Sequence, residues 1–153
     1  MIKIAAWNIR GLNSLIKQKE VRDLIYLKHL SLCCIIESKV IHSHLGDVCG
    51  KVFGNWSWIS NGNLCDQGTR IIIAWDPTVL SVLMIEQHQQ YVHCEIRFFG
   101  QPDPIFITFV YGCNTGVDRR ELWRAFGEFH VFNQGKLGSR WVILIQCFFP
   151  MMV

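Results

Sequence analysis

"IKIAAWNIRGLNSLIKQKEVRDLIYLKHLSLCCIIES", residues 2–38, reads as strand, helix and strand, and that order decides the fold class. Ile2–Ile9 is a short apolar strand with Asn8 at its end. Arg10–Ser14 is a turn in which Gly11 is free to take positive φ. Leu15–Leu30 approximates the 3.6-residue period. Val21, Leu24, Ile25 and Leu30 form its apolar stripe, and Lys17, Lys19, Glu20, Arg22 and Asp23 are polar. Leu32–Ile36 is a second apolar strand that breaks off at Glu37. A β-α-β opening makes the two strands parallel or close neighbours.

Working outward, residues 52–111 read as strands and turns without a helix. The strands are Phe53–Ile59, Arg70–Trp75, Val79–Ile85, Tyr91–Phe98 and Ile105–Tyr111. Asn61-Gly62-Asn63, Asp76-Pro77 and Gly100–Pro104 supply turns between them. A helix is expected from Asp118, with Leu122, Phe126 and Phe129 on one face, and a closing strand from Trp141. This order predicts an α/β (α+β) domain of two packed sheets with helices outside them.

The bulk composition narrows the function classes. The 153 residues suffice for one domain with a core. They are 50% hydrophobic and 18% charged, against roughly 25% charged in an ordinary soluble domain. Either many strands are buried on both faces, or apolar surface awaits a partner. A net charge of +3 permits phosphate contact without predicting it. Seven cysteines with no CxxC spacing argue against a secreted disulfide scaffold. His42-x-His44 is the only close histidine pair, so zinc-ligand spacing is absent. The first residues lack a signal peptide's long apolar stretch, and no run reaches the roughly 18 apolar residues of a membrane helix. No membrane role is therefore expected.

Several strands end in polar residues of a consistent kind. Trp7-Asn8 closes the first, Glu37 the second, and Tyr111 with Asn114 the penultimate one. If those ends converge, they offer one carboxylate, two amides and a phenol. Magnesium takes carboxylate and other oxygen ligands and keeps several waters. Amides orient a phosphate without adding negative charge, and a phenol can donate to an oxyanion. Each residue also has a plain reading: Glu37 as a solvated strand end, Asn8 as a turn former beside Gly11, Tyr111 as a core ring with its hydroxyl at the surface.

Taken together, "WNIRGLN" (7–13), "IIESKV" (35–40), "RIIIAWDP" (70–77), "FITFVYGCN" (106–114), "RRELW" (119–123) and "WVIL" (141–144) make a recognisable set. The chain resembles the endonuclease domain of plant LINE-type non-LTR retrotransposons, within the endonuclease/exonuclease/phosphatase superfamily. The resemblance implies a four-layer α/β/β/α sandwich of the DNase I-like type, and a magnesium-dependent phosphodiesterase that nicks DNA. Asn8 then corresponds to the strand-end amide near metal and phosphate, and Glu37 to the metal-ligating glutamate. Tyr111 and Asn114 correspond to the phosphate-contacting tyrosine and the asparagine after it. Arg10 stands where some relatives carry an acid, and a basic side chain there suits a DNA backbone or a solvated loop.

The ending departs from this pattern. In the family, the strand that begins like "WVIL" runs into Gly-Asp-Phe-Asn, whose Asp activates water and whose Asn binds phosphate. Those places hold Ile145, Gln146, Cys147 and Phe148. Gln146 cannot act as a base near neutral pH, and Phe148 cannot replace an amide. The family pattern continues to a terminal Asp-His pair beyond the length seen here. The expectation is therefore a truncated copy of the domain, inactive as a nuclease, that has lost most of its second sheet and associates through open edges and apolar faces. A nucleic-acid-binding remnant and a protein-interaction module are the alternatives.

Overall fold

The computed structural model describes residues 2–111, 120 and 124, together with the backbone of 140–145 and 151–152. The β-α-β opening is present. Strand β1 (Ile4–Asn8) leads into helix α1 (Leu15–Lys28), which returns the chain to β2 (Leu32–Val40). β1 and β2 pair in parallel, with Asn8 opposite Ile36. Ser14 caps α1, its side chain accepting from the Lys17 N–H, and His29 ends the helix in the left-handed region. Val21 is buried, and Leu24 and Ile25 pack against the core, as the stripe predicts.

Helix α2 (Leu45–Phe53) follows and corrects the sequence reading, which began a strand at Phe53. Leu45, Val48, Cys49, Val52 and Phe53 are its buried residues, at i, i+3, i+4, i+7 and i+8. The strand is shorter and later: β3 is Ser57–Ser60. After it come β4 (Thr69–Trp75), β5 (Leu80–Gln87), β6 (Tyr91–Phe98), β7 (Ile105–Val110), β8 (Arg140–Ile145) and β9 (Met151–Met152). One sheet has the order β3-β4-β2-β1-β9 and the other β5-β6-β7-β8. The second sheet, expected to have lost most of its strands, thus retains four.

Alternation along the strands fills two cores. Ile4, Leu32, Cys34, Ile36, Ile71 and Ile73 of the first sheet face Val92, Cys94, Ile96, Ile107 and Phe109 of the second. The opposite face of the first sheet, with Cys33, Ile35, Ile72 and Ala74, packs on Val21 of α1 and Val48 and Val52 of α2. Burying one Val, Leu or Ile side chain is worth roughly 1.5–3 kcal/mol, so these layers supply the main stabilisation. The other face of the second sheet is buried too, at Phe106, Thr108 and Val110, as a fourth layer requires. The helix expected there from Asp118 lies outside the described residues except for Arg120 and Arg124, which are helical and exposed. The result is a two-sheet α/β sandwich, the predicted fold class. Among the described residues no helix is long and apolar enough to cross a membrane.

Candidate functional site

One end of the sandwich gathers the exits of β1, β2 and β7, the entry to β4 and the β5–β6 turn. The register shows why. β1 and β2 run in parallel to the pair Asn8–Ile36, β4 runs antiparallel to β2, and Tyr91 of β6 pairs with Val110 of β7. A cleft of about 390 Å³ opens there, lined by Glu37, Lys39, residues 65–69 (Asp66 among them), Arg70, Gln89 and Tyr111.

The local chain path at Glu37 is unusual. β2 does not stop there but runs on to Val40, with a register shift against β4 between Ile36 and Val40. Glu37 and Lys39 both adopt positive φ, +60° and +56°. For non-glycine residues this costs of order 1–3 kcal/mol each, and it persists only where the surroundings over-determine it. Here they do. The buried Ser38 hydroxyl donates to the Thr69 carbonyl at 2.6 Å. The N–H groups of Gly11 and Leu12 donate to the carbonyls of Glu37 and Ser38, each at 2.8 Å. The Asn13 amide donates to the Lys39 carbonyl at 3.1 Å. Gly68, at φ +98°, lies so close that a Cβ would come within 2.9 Å of the Lys39 backbone. Only glycine meets both demands there. With Ser38 buried, the side chains on either side of it, Glu37 and Lys39, line the cleft.

The charges follow from this path. Glu37 is 26% exposed, and its Oε1 lies 3.5 Å from the Lys39 Nζ. At the wall formed by the entry to β4 and the exit of β7, the Arg70 guanidinium stacks over the Tyr111 ring, 4.9 Å from its centroid. Arg70 also donates to the Gln89 carbonyl at 3.4 Å, and the Tyr111 N–H donates to the Gln90 carbonyl at 2.7 Å. Asn61, fully buried, ties the two sheets together beneath this wall. Its amide donates to the carbonyls of His88 at 2.9 Å and Gln89 at 3.2 Å. Its Oδ1 accepts from the Ile71 N–H at 2.9 Å.

Glu37 and Tyr111, from different sheets, thus line one cleft. Asn8 sits at the end of β1, half-buried, paired with the residue before Glu37, but it is not among the cleft's lining residues. Its Oδ1 accepts from the Arg10 N–H at 3.2 Å, the turn-former geometry. Arg10 is exposed, at φ +52°. Asn114, Gln146 and Phe148 lie outside the described residues. The strand before the latter two, β8, ends with Ile145 opposite Val110, at the same end of the sandwich as Tyr111.

Lys39, Asp66, Arg70 and Gln89 escaped the sequence reading. Alternation from Glu37 was the available signal for Lys39, and position at the head of an apolar strand for Arg70. Among the described residues no group of three or more His, Cys, Asp or Glu is arranged to hold a metal ion. The half-buried Glu37 and the exposed Asp66, with Gln89 and Tyr111 in the same lining, suit a hard, largely hydrated cation and not a closed zinc cage, and Lys39 beside Glu37 competes with such an ion.

No protein-family model matches the chain, and no curated protein does. Solved structures do. D. rerio TDP2 complexed with a single-strand DNA product is 12% identical with TM-score 0.59, covering 94% of this chain and 58% of that one. The endonuclease domain of TRAS1, a telomere-specific non-LTR retrotransposon, is 12% identical with TM-score 0.63, covering 97% and 59%. The human nocturnin catalytic domain with bound sulfate is 11% identical with TM-score 0.62, covering 94% and 62%. The chain spans about three fifths of the length of each of these neighbours. The neighbours are DNase I-like endonuclease/exonuclease/phosphatase superfamily members, and at this level of identity the likeness shows that the chain shares their fold.

Proposed function

We propose that residues 1–153 are the first part of a DNase I-like phosphodiesterase domain of retrotransposon origin, of the plant LINE type. Its cleft receives a nucleic-acid phosphodiester beside a magnesium ion, and as it stands it does not cut. The observation that carries this reading is the cleft itself: Glu37 and Tyr111 line it together, Glu37 on backbone held in a costly conformation. Strain of that kind clusters at functional sites. The TRAS1 neighbour, an endonuclease domain of a non-LTR retrotransposon, supports the origin, and the TDP2 neighbour with single-strand DNA supports the substrate class.

In this reading Glu37 holds the ion from the cleft, and Asn8, at the end of the adjacent strand and outside the cleft's lining, stands near it. Magnesium, when bound, polarises a phosphate oxygen and offsets developing charge. Tyr111 donates its hydroxyl to the phosphate, with Asn114 in the same role. Arg70 holds the Tyr111 ring from one face and adds positive potential. Arg10 meets the DNA backbone beside the β1 exit. By the sequence resemblance Gln146 corresponds to the water-activating acid, and an amide takes no proton near neutral pH. Phe148 brings no amide. Losing general-base help alone typically lowers rates about 10²–10⁴-fold.

A supercoiled-plasmid nicking assay in magnesium tests the reading. Wild type and Glu37→Ala are expected to give the same background. Nicking by wild type that Glu37→Ala abolishes overturns the claim of inactivity. A binding-only role is the second reading, favoured by the two cations, Lys39 and Arg70, that line the cleft. It predicts oligonucleotide affinity in EDTA that falls steeply with salt.

A further inference from the structure

Lys39 lies two residues beyond Glu37, and the chain path leaves it little choice of direction. Ser38 is fixed inward by its bond to Thr69, and the Lys39 backbone is clamped between Asn13 and Gly68. Its ammonium therefore reaches the carboxylate that the magnesium reading assigns to the metal, at 3.5 Å. The pair is partly exposed, 57% for Lys39 and 26% for Glu37, so it contributes little to stability and opens easily.

We propose, on the basis of that metal assignment, that Lys39 is the resident counter-ion of Glu37. A divalent cation enters the cleft only by displacing the ammonium, which then turns to the incoming phosphate. Lys39 is thus a positioning residue. It keeps the carboxylate neutralised when metal is absent, so a phosphodiester does not meet a bare negative charge. It supplies a phosphate contact when metal is present. Metal on Glu37 frees the ammonium for phosphate, which couples metal entry to phosphate capture. Arg70 is stacked on Tyr111 and bonded to Gln89.

The test is Mn²⁺ titration of the full chain, following free Mn²⁺ by electron paramagnetic resonance. The proteins are wild type, Lys39→Met, Lys39→Arg, Glu37→Gln and the double variant Glu37→Gln/Lys39→Met, with folding checked by circular dichroism. Lys39→Met is expected to bind Mn²⁺ about tenfold more tightly, the scale of a unit charge against a divalent ion several ångströms away in near-aqueous dielectric. Lys39→Arg, which keeps the charge, stays near wild type. In the Glu37→Gln background the Lys39→Met gain disappears. Equal binding by wild type and Lys39→Met, with Glu37→Gln weaker, overturns the counter-ion role and leaves the metal assignment standing. Equal binding by wild type, Lys39→Met and Glu37→Gln overturns both. A gain that survives in the Glu37→Gln background overturns the pairing, since it marks a general field effect.

Discussion

Replacing Asn61 with alanine removes the staple that fastens the β5–β6 turn to the β3–β4 connection. Three side-chain hydrogen bonds are lost, at 2.9, 3.2 and 2.9 Å, all from a residue with no exposed surface. A typical intramolecular bond contributes about 1 kcal/mol net, and a buried group that loses its partner costs about 1–3 kcal/mol. The Ile71 N–H is such a group, because the Asn61 Oδ1 is its acceptor in a buried setting. The sum predicts a loss of about 3–5 kcal/mol, a fifth or more of the stability of an ordinary domain. For a chain of this length that lowers the melting temperature by about 6–20 °C. Asn61→Asp should be worse than Asn61→Ala, since it sets a carboxylate against the carbonyls of His88 and Gln89 and buries the charge. Urea unfolding followed by tryptophan fluorescence and thermal unfolding by circular dichroism give the values. A loss under about 1 kcal/mol for Asn61→Ala, or a milder effect for aspartate, would show that the turn is held by something else.

Two further perturbations read different parts of the structure. Lys39→Gly should stabilise the chain by about 1 kcal/mol in urea, because glycine adopts φ +56° without the penalty a side chain incurs there. Destabilisation would mean that the lysine stem, not the backbone, carries that segment. Cys33 is fully buried, and burial pushes its thiol from 9.0 up to about 12. Its folded pKa is raised, so its contribution is fully present below pH 9 and is lost as pH rises from 9 toward 12. Stability should therefore fall across that window, less so in Cys33→Ala, with native thiol labelling at pH 8 sparing Cys33 in a mass-spectrometric map.

The sequence foretold the layers better than the cleft, and particular residues show why. The continuous apolar runs of β4 and β7, and the stripe Val21, Leu24, Ile25 on α1, follow from which faces of an element must be dry, so they survive any choice of partner. Helix α2 obeyed the same rule at Leu45, Val48, Cys49 and Val52. It is hard to read because it has only nine residues, two of them the poor helix formers Gly46 and Gly50, and Phe53 suits the start of a strand equally well. Glu37 and Tyr111 could be named because polar residues at the ends of apolar strands break a visible pattern. The rest of the cleft obeys no local pattern. Arg70 matters because it lies over Tyr111, and Asn61 because it reaches His88 and Gln89, contacts that exist only once two sheets have stacked. The positive φ at Glu37 and Lys39 is the clearest case. Neither residue type favours that conformation, so no propensity forecasts it. It is imposed by Gly68 and Thr69, on the segment entering β4, and by the β1 exit loop, two separate stretches of chain acting on a third. A conformation that local preference opposes and tertiary structure enforces is what distinguishes this end of the sandwich from the other, and the two side chains it aims are the ones that form the cleft's ion pair.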